Sequence, residues 1–220
     1  MMPEKLDIFD FDGTLFQNPL DTPENRKKFE DHTGMPWLIS KEMSRELTRK
    51  HKKFVGMRKG WYGRPETLEP PLVPVPAPKE MFIESTCQAF LKSKADQSSL
   101  TLLMTGRHAG IQSNVLRIAQ EGGLLLVDRQ KSKEGELFCK NIDPDVVCHF
   151  MGQDGPRPKG NKPTETLPWK IWIMEQYMKV YPEIKVVEIW EDREEHVKEF
   201  KQLDGLLADK VIVNFIQDAR

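Results

Sequence analysis

Cysteine is scarce and unpatterned in these 220 residues: Cys87, Cys139 and Cys148 form an odd, widely spaced set with no Cys-x-x-Cys. That excludes a disulfide framework and a structural zinc site, and it points to a reducing compartment, cytoplasm or nucleus. No apolar run approaches the roughly eighteen residues needed to cross a bilayer, so no membrane role is expected. A charge excess is missing as well, since 33 Lys+Arg against 34 Asp+Glu leave a formal charge of -1. The molecule as a whole is therefore no polycation held to nucleic acid by bulk charge, and any such binding must be local. There is no Gly-x-x-x-x-Gly-Lys-Ser/Thr loop, hence no kinase half within the chain. The first residues, Met1-Met2-Pro3-Glu4-Lys5, have neither the basic-then-apolar block of a secretory signal nor an Arg/Ser-rich transit pattern.

What is present is an ordinary globular composition, 38% hydrophobic and 30% charged, at a length suited to one domain carrying a modest insertion. Leu6-Asp-Ile-Phe-Asp-Phe-Asp12 reads as a strand closed by Gly13-Thr14. Over 20–78 the character changes to charged helical pieces around 24–32 and 40–54. A Gly- and Pro-rich loop follows, with five prolines between 70 and 78. This segment reads as an insertion. Apolar residues recur at helical spacing over 79–95, Leu100–Met104 reads as a buried strand, and a helix is expected from Ile111 to about Gln120. A third strand is expected at Leu124–Asp128, with weaker candidates near 136–141 and 145–151 and a polar loop at 152–163. The strongest helix runs from Thr166 to Tyr181, with Thr164 or Thr166 as its cap and Pro168 in its first turn. A strand at Ile184–Trp190, a helix at Glu194–Leu203 and a strand at Lys210–Ile216 complete an alternation that implies βαβ units and a mostly parallel sheet.

In such sheets ligands sit beyond the carboxyl ends of the strands. Those ends carry Asp10-Phe-Asp12-Gly13-Thr14, Thr105-Gly106-Arg107 and Glu191-Asp192-Arg193, while Lys170 enters near the start of the long helix. Two carboxylates one residue apart at a turn can divide the work, one attacking while the other moves protons. Acids packed this closely repel unless a divalent cation sits among them, and an all-oxygen set favours Mg²⁺, which also binds phosphate. Thr105 and Gly106 can donate to a phosphoryl oxygen, and Lys170 can neutralise charge developing there.

The order Asp10-x-Asp12-Gly-Thr, strand-end Thr105, helix-start Lys170 and acidic strand-end Asp192 resembles the motif order of the haloacid dehalogenase (HAD) superfamily. The blocks Leu103-Met-Thr-Gly-Arg107, Gly123-Leu-Leu-Leu-Val-Asp128, Thr166-x-x-Trp-Lys170 and Trp190-Glu-Asp-Arg-x-x-His196-x-x-x-Phe200 look like the HAD domain of Swiss Army Knife RNA-repair proteins. The phosphatase domain of polynucleotide kinase-phosphatases is similar at the strand-end Gly-Arg and at the acidic pair followed by Arg. The resemblance implies an α/β, Rossmann-like core, a mostly parallel sheet flanked by helices, with a cap-like insertion after the first strand. It implies Asp10 as the nucleophile, Asp12 as general acid and base, and Mg²⁺ held by Asp10, the Asp12 carbonyl and Asp192. Thr105 and Lys170 would hold the phosphoryl group, with Arg107 and Gly106 against the substrate phosphate. Glu191 beside Asp192 leaves open which acid binds metal. His196 is equally a family His or a solvent-facing or core-satisfied helix residue, and Asp128 reads as a cap or a hydrogen-bond partner of a loop, outside the site.

Within the insertion, residues 45–64 carry eight Lys/Arg and one acid, Glu46. Phe54, Trp61 and Tyr62 interleave with the cations, a pattern suited to single-stranded nucleic acid. The plain alternative is a solvated helix face packed on Met43, Leu47 and Phe54. The expected activity is a Mg²⁺-dependent phosphatase that forms an aspartyl-phosphate and removes a terminal phosphate from RNA or a nucleotide. A repair kinase or ligase would act as partner on another chain. The alternatives are a small-molecule phosphatase or nucleotidase, and a non-catalytic nucleic-acid-binding module on the same fold.

Overall fold

The structure is a computed structural model describing residues 2–52, 60–131, 137–156 and 162–217. It divides into two compact units: Met1–Gln17 with Ala77–Arg220, and Asn18–Pro76 between them in sequence. In chain order the elements are β1 (Lys5–Phe9), α1 (Pro23–Thr33), α2 (Lys41–His51), α3 (Glu84–Ala95), β2 (Ser99–His108), α4 (Gln112–Glu121), β3 (Val127–Lys131), β4 (Leu137–Asn141), β5 (Val146–Met151), α5 (Thr166–Val180), β6 (Val186–Glu191), α6 (Glu194–Lys201) and β7 (Lys210–Phe215).

The larger unit is built on a five-stranded sheet in the order β5-β2-β1-β6-β7, parallel throughout. The period of two in β1 decides what each face meets. Leu6 and Ile8 point to one side, into a core shared with Leu102 and Met104 of β2, Val187 and Ile189 of β6, and Trp169, Ile173, Met174 and Tyr177 of α5. Each such aliphatic side chain contributes about 1.5–3 kcal/mol on full burial. Phe9 points to the other side, stacked on Trp190 at 4.1 Å between centroids and edge-on to Phe90 of α3 at 5.1 Å. Asp7 shares that second face. It is buried, with Ser93 Oγ donating to Oδ2 at 2.6 Å and Lys5 Nζ ion-paired 3.0 Å from Oδ1. Asp7 is thus structural, and the two acids that follow it in the chain emerge at the strand end.

The sequence places most elements within a few residues, and three readings are corrected. The expected strand at Leu124–Asp128 is displaced. Leu124 and Leu125 are buried outside any strand, and β3 starts at Val127 and pairs antiparallel with β4, apart from the main sheet. An apolar run bounded by Gly122-Gly123 marks burial here and not pairing. The strand that follows β2 in the main sheet is instead β5, the weak candidate, which pairs with β2 at the sheet's edge and whose exposed Val147 and polar His149 blur its pattern. Neither Thr164 nor Thr166 caps α5: the N-cap is Glu165, with no side-chain cap bond, and Thr166 is the first helical residue. The 152–163 loop is described only in part.

The smaller unit has its own core of Phe29, Trp37, Trp61 and Leu72. Thr22 caps α1 by accepting from the Asn25 N–H, with Pro23 at the first helical position. Trp61 is therefore a core residue, its indole N–H bonded to the Pro19 carbonyl at 2.7 Å, and not a solvent-facing stacking platform. Arg64 is also buried, its guanidinium over Trp37 at 4.5 Å and Phe29 at 5.0 Å. Neither residue therefore fits the interleaved nucleic-acid pattern read from the sequence. Phe54 lies outside the described residues, as do Lys53, Arg58 and Lys59. Helix α2 buries none of its residues.

Candidate active site

The carboxyl ends of β2, β1 and β6 lie side by side because the register pairs Phe9 with both Leu103 and Trp190. Asp10 follows directly, its own N–H bonded to the Trp190 carbonyl at 3.1 Å. Its carboxylate accepts the Phe11 N–H on Oδ1 at 2.8 Å and faces Lys170 Nζ on Oδ2 at 3.0 Å. Lys170 descends from the first turns of α5, where Trp169 is anchored by its indole N–H to the Gln153 carbonyl. The ammonium is shared: Glu191 Oε2 lies 2.9 Å from the same Nζ. All three groups are buried, with at most 3% of any side chain exposed.

Glu191 is the hub of this cluster. Besides Lys170 it binds His196 Nδ1 at 3.2 Å and accepts the Arg193 N–H at 3.3 Å. Burial opposes its ionisation, but Lys170, His196 and Arg193 outweigh burial and hold it well below the usual carboxylate range. Asp10 and Asp192 go the other way. Burial is the main cause for Asp10, offset in part by Lys170, and it is pushed up to about 6. For Asp192 burial is joined by repulsion from Asp10 and Glu191, and it rises to about 7. Carboxylates crowded enough to resist ionisation are the setting a divalent cation relieves.

The donor set fits such an ion. Asp10, Glu191 and Asp192 each offer one oxygen, and these oxygens lie within 4.8 Å of one another. Gly13 provides the accompanying cradle, at φ +69° and packed on Asp192, where a Cβ would stand 2.2 Å from Asp192 Oδ2. Only a residue without a side chain lets the turn after Asp12 close on this carboxylate.

Asp12 and Arg107 make a second cluster. Arg107 Nε lies 2.9 Å from both Asp12 oxygens, and Nη2 lies 2.7 Å from Oδ1. The pairing of β2 with β5 slips between Thr105 and His108. Such an irregularity re-aims side chains, and here it coincides with the Gly106-Arg107 step. The guanidinium expected against substrate is thus fully buried against Asp12. Thr105 is buried too, its hydroxyl accepting the Arg107 N–H at 3.1 Å. Gly106 lets the strand end approach α5, since a Cβ there would meet Thr166 Cγ2 at 2.9 Å.

The structure therefore brings Asp10, Lys170, Glu191, Asp192, Arg193 and His196 into one cluster, with Arg107 joined to Asp12. His196 is a buried partner of Glu191. Asp128 is outside the cluster, on the β3–β4 hairpin. Arg193 is the residue sequence reasoning passed over: its Nη2 lies 3.7 Å from Asp10 Oδ2 and its Nε 3.4 Å from Glu191 Oε1. A signal was available, because Arg193, like Lys170, puts a cation at a helix start where the dipole favours acids.

A family model described as HAD domain family 1 in Swiss Army Knife RNA repair proteins matches residues 36–213. That span includes Thr105, Lys170 and Asp192 and begins after β1, so Asp10 and Asp12 rest on the geometry above. No curated protein and no solved structure matches the chain. With the family match covering most of the chain, and with a five-stranded parallel sheet carrying an acidic cluster at its carboxyl edge, the protein belongs to the HAD domain family of Swiss Army Knife RNA repair proteins.

Proposed function

We propose that this HAD-type domain is a Mg²⁺-dependent phosphatase that removes a terminal phosphate from RNA through an aspartyl-phosphate on Asp10. The observation that carries the reading is the pairing of buried Asp10 with Lys170 at 3.0 Å beside two further acids. A carboxylate in that setting is ready to attack phosphorus and poorly placed for any surface role.

In the first half-reaction an Asp10 carboxylate oxygen bonds to phosphorus as the ester P–O bond breaks, and the leaving oxygen takes a proton from Asp12. In the second, water attacks phosphorus, Asp12 takes its proton, and the bond to Asp10 breaks to release phosphate. Bound Mg²⁺ supplies charge neutralisation for the phosphoryl oxygens, and Asp10, the Asp12 carbonyl and Asp192 would hold it. Glu191 is fully engaged with Lys170, His196 and Arg193, which favours Asp192 as the third ligand. Thr105 and the Gly106 backbone would donate to the phosphoryl oxygens. Lys170 balances the charge of Asp10 and then that of the transferred group. Arg107 acts through Asp12: its two-pronged grip orients the proton-transfer carboxyl, a positioning role in place of direct substrate contact.

RNA as substrate is supported by the family and by α2. Lys41, Arg45 and Arg49 recur every fourth residue on this helix and are all exposed, with Lys52 just beyond its end. Such a stripe suits a phosphodiester backbone. The test is phosphate release with Mg²⁺ from 3′-phosphate RNA, 5′-phosphate RNA, a mononucleotide and a sugar phosphate. Release from one RNA end well above the small phosphates is the expected result. Equal release from all would make this a small-molecule phosphatase. No release, with RNA bound equally by wild type and Asp10→Asn, would make it a binding module.

A further inference from the structure

The charge around Asp10 is unevenly accessible. Lys170 is committed to Asp10 and Glu191 with 2% of its side chain exposed, and Arg107 is buried on Asp12. A phosphate monoester arrives with about two negative charges, at a site that already contains three acids. Besides Mg²⁺ and Lys170, a side-chain cation on the open side would further balance that charge. Of the two described cations paired with Asp10, Lys170 is buried and Arg193 is open to solvent, with 32% of its side chain exposed.

Resting on the phosphatase reading, we infer that Arg193 is a catalytic residue, a second phosphoryl-binding cation that engages the group being transferred to and from Asp10. Three features of its geometry carry this. Nη2 is 3.7 Å from Asp10 Oδ2, beyond hydrogen-bond reach, so the guanidinium stops short of the carboxylate it faces. A phosphoryl oxygen on phosphorus attached to Asp10 would lie beside that carboxylate oxygen, where the same nitrogen can donate to it. The other edge is anchored, with Nε 3.4 Å from Glu191 Oε1 and the backbone N–H on the same oxygen. Glu191 thus carries Lys170 on Oε2 and Arg193 on Oε1, holding both cations against Asp10. Finally, Nη2 lies beside the Thr105-Gly106 strand end, where a Cβ on Gly106 would stand in ordinary van der Waals contact with it at 3.7 Å. The planar fork can meet two oxygens at once, which a lysine cannot do, so the position calls for Arg and not only for a positive charge.

The test compares wild type, Arg193→Gln, Arg193→Lys and Asp10→Asn in Mg²⁺ by three readouts: hydrolysis of end-phosphorylated RNA, equilibrium binding of inorganic phosphate by calorimetry, and recovery of activity by added guanidinium at low millimolar concentration. Losing one preorganised donor to the transferring group lowers turnover about 10²–10³-fold. That loss is expected for Arg193→Gln, together with phosphate affinity weakened about tenfold or more and partial rescue by guanidinium. Arg193→Lys keeps a charge on Glu191 and should recover only part of the turnover. It also carries the test if the Gln variant unfolds. Wild-type turnover and phosphate affinity in folded Arg193→Gln or Arg193→Lys would overturn the inference while leaving the phosphatase reading intact. If wild type shows no turnover yet binds phosphate in an Arg193-dependent way, the phosphate site stands and the phosphatase reading falls. If wild type binds no phosphate and turns over nothing, both fall.

Discussion

Arg107 holds Asp12 by three contacts of 2.7–2.9 Å from two of its nitrogens, across 95 residues of chain and between the ends of adjacent strands. The pair links the motif that supplies the nucleophile to the motif that supplies Thr105. A grip of this kind fixes the plane of a carboxyl group and restricts which oxygen can pass a proton outward.

Replacing Arg107 by Gln is expected to lower kcat about 10²-fold, the scale of general acid–base catalysis, with little change in KM. Arg107→Lys should not restore the rate, because one ammonium cannot span both oxygens. Steady-state kinetics on an end-phosphorylated RNA check this. A rise in KM with kcat unchanged would place Arg107 on the substrate instead.

Gly13→Ala should act through Asp192. The added Cβ would meet Asp192 Oδ2 at 2.2 Å, and a φ of +69° strains any L side chain by about 1–2 kcal/mol. The carboxylate has to move, so the Mg²⁺ concentration for half-maximal activity should rise about tenfold or more, equivalent to about 1.4 kcal/mol. An unchanged Mg²⁺ requirement in a folded variant would contradict Asp192 as a ligand.

Removing the charge stripe by Lys41→Gln, Arg45→Gln and Arg49→Gln together should weaken action on RNA while leaving hydrolysis of a mononucleotide unchanged. Each lost backbone contact on a single strand flattens the log–log salt dependence by about 0.7, so a change of about 2 is expected if all three engage phosphates. Kinetics between low and physiological salt read this directly. Equal losses on both substrates would argue against an RNA-docking role for α2.

His149 gives a pH signature of stability, remote from the catalytic acids. It is buried on β5, with Nε2 2.7 Å from the Tyr177 hydroxyl, and burial pushes it down to about 4. The unfolded chain takes up the proton near pH 6.5 and the folded one does not, so this contribution to stability is complete above pH 6.5. It is lost progressively as pH falls toward 4, by about 3 kcal/mol. His149→Gln should flatten the decline between pH 6.5 and 4 in denaturant titrations. An unchanged slope in that window would contradict this role for His149, since Asp143 and Asp96, both held below the usual range, lose their contribution only as pH falls through about 4 and below.

The α/β alternation was legible because most core elements announce themselves: β1 and β2 are short apolar runs ending in turns, and α5 has apolar residues at helical spacing. What escaped was pairing. Leu124–Asp128 has strand composition but no place in the main sheet, and β5 joins that sheet at its edge behind a mixed pattern, because pairing is a tertiary decision that local composition does not carry. At the site, acids and cations at strand ends were readable as a cluster, yet which cation meets which acid was not. The sequence reading aimed Arg107 at substrate, whereas the register slip after Thr105 turns it onto Asp12. Arg193 was visible as part of Glu191-Asp192-Arg193 but had no assigned partner until Asp10 and Glu191 were seen beside it. In the insertion, alternating aromatics and cations suggested a binding surface, while Trp61 and Arg64 instead build that unit's interior.

The central claim is that phosphate passes through Asp10, and acid-quench trapping tests it most directly. The protein is mixed with Mg²⁺ and an RNA bearing a radiolabelled terminal phosphate, quenched within a turnover, and the labelled peptide is identified. The expected result is an acid-stable, hydroxylamine-sensitive label on the peptide containing Asp10, absent from Asp10→Asn. Phosphate release that proceeds equally in Asp10→Asn, or label on another residue, would contradict it.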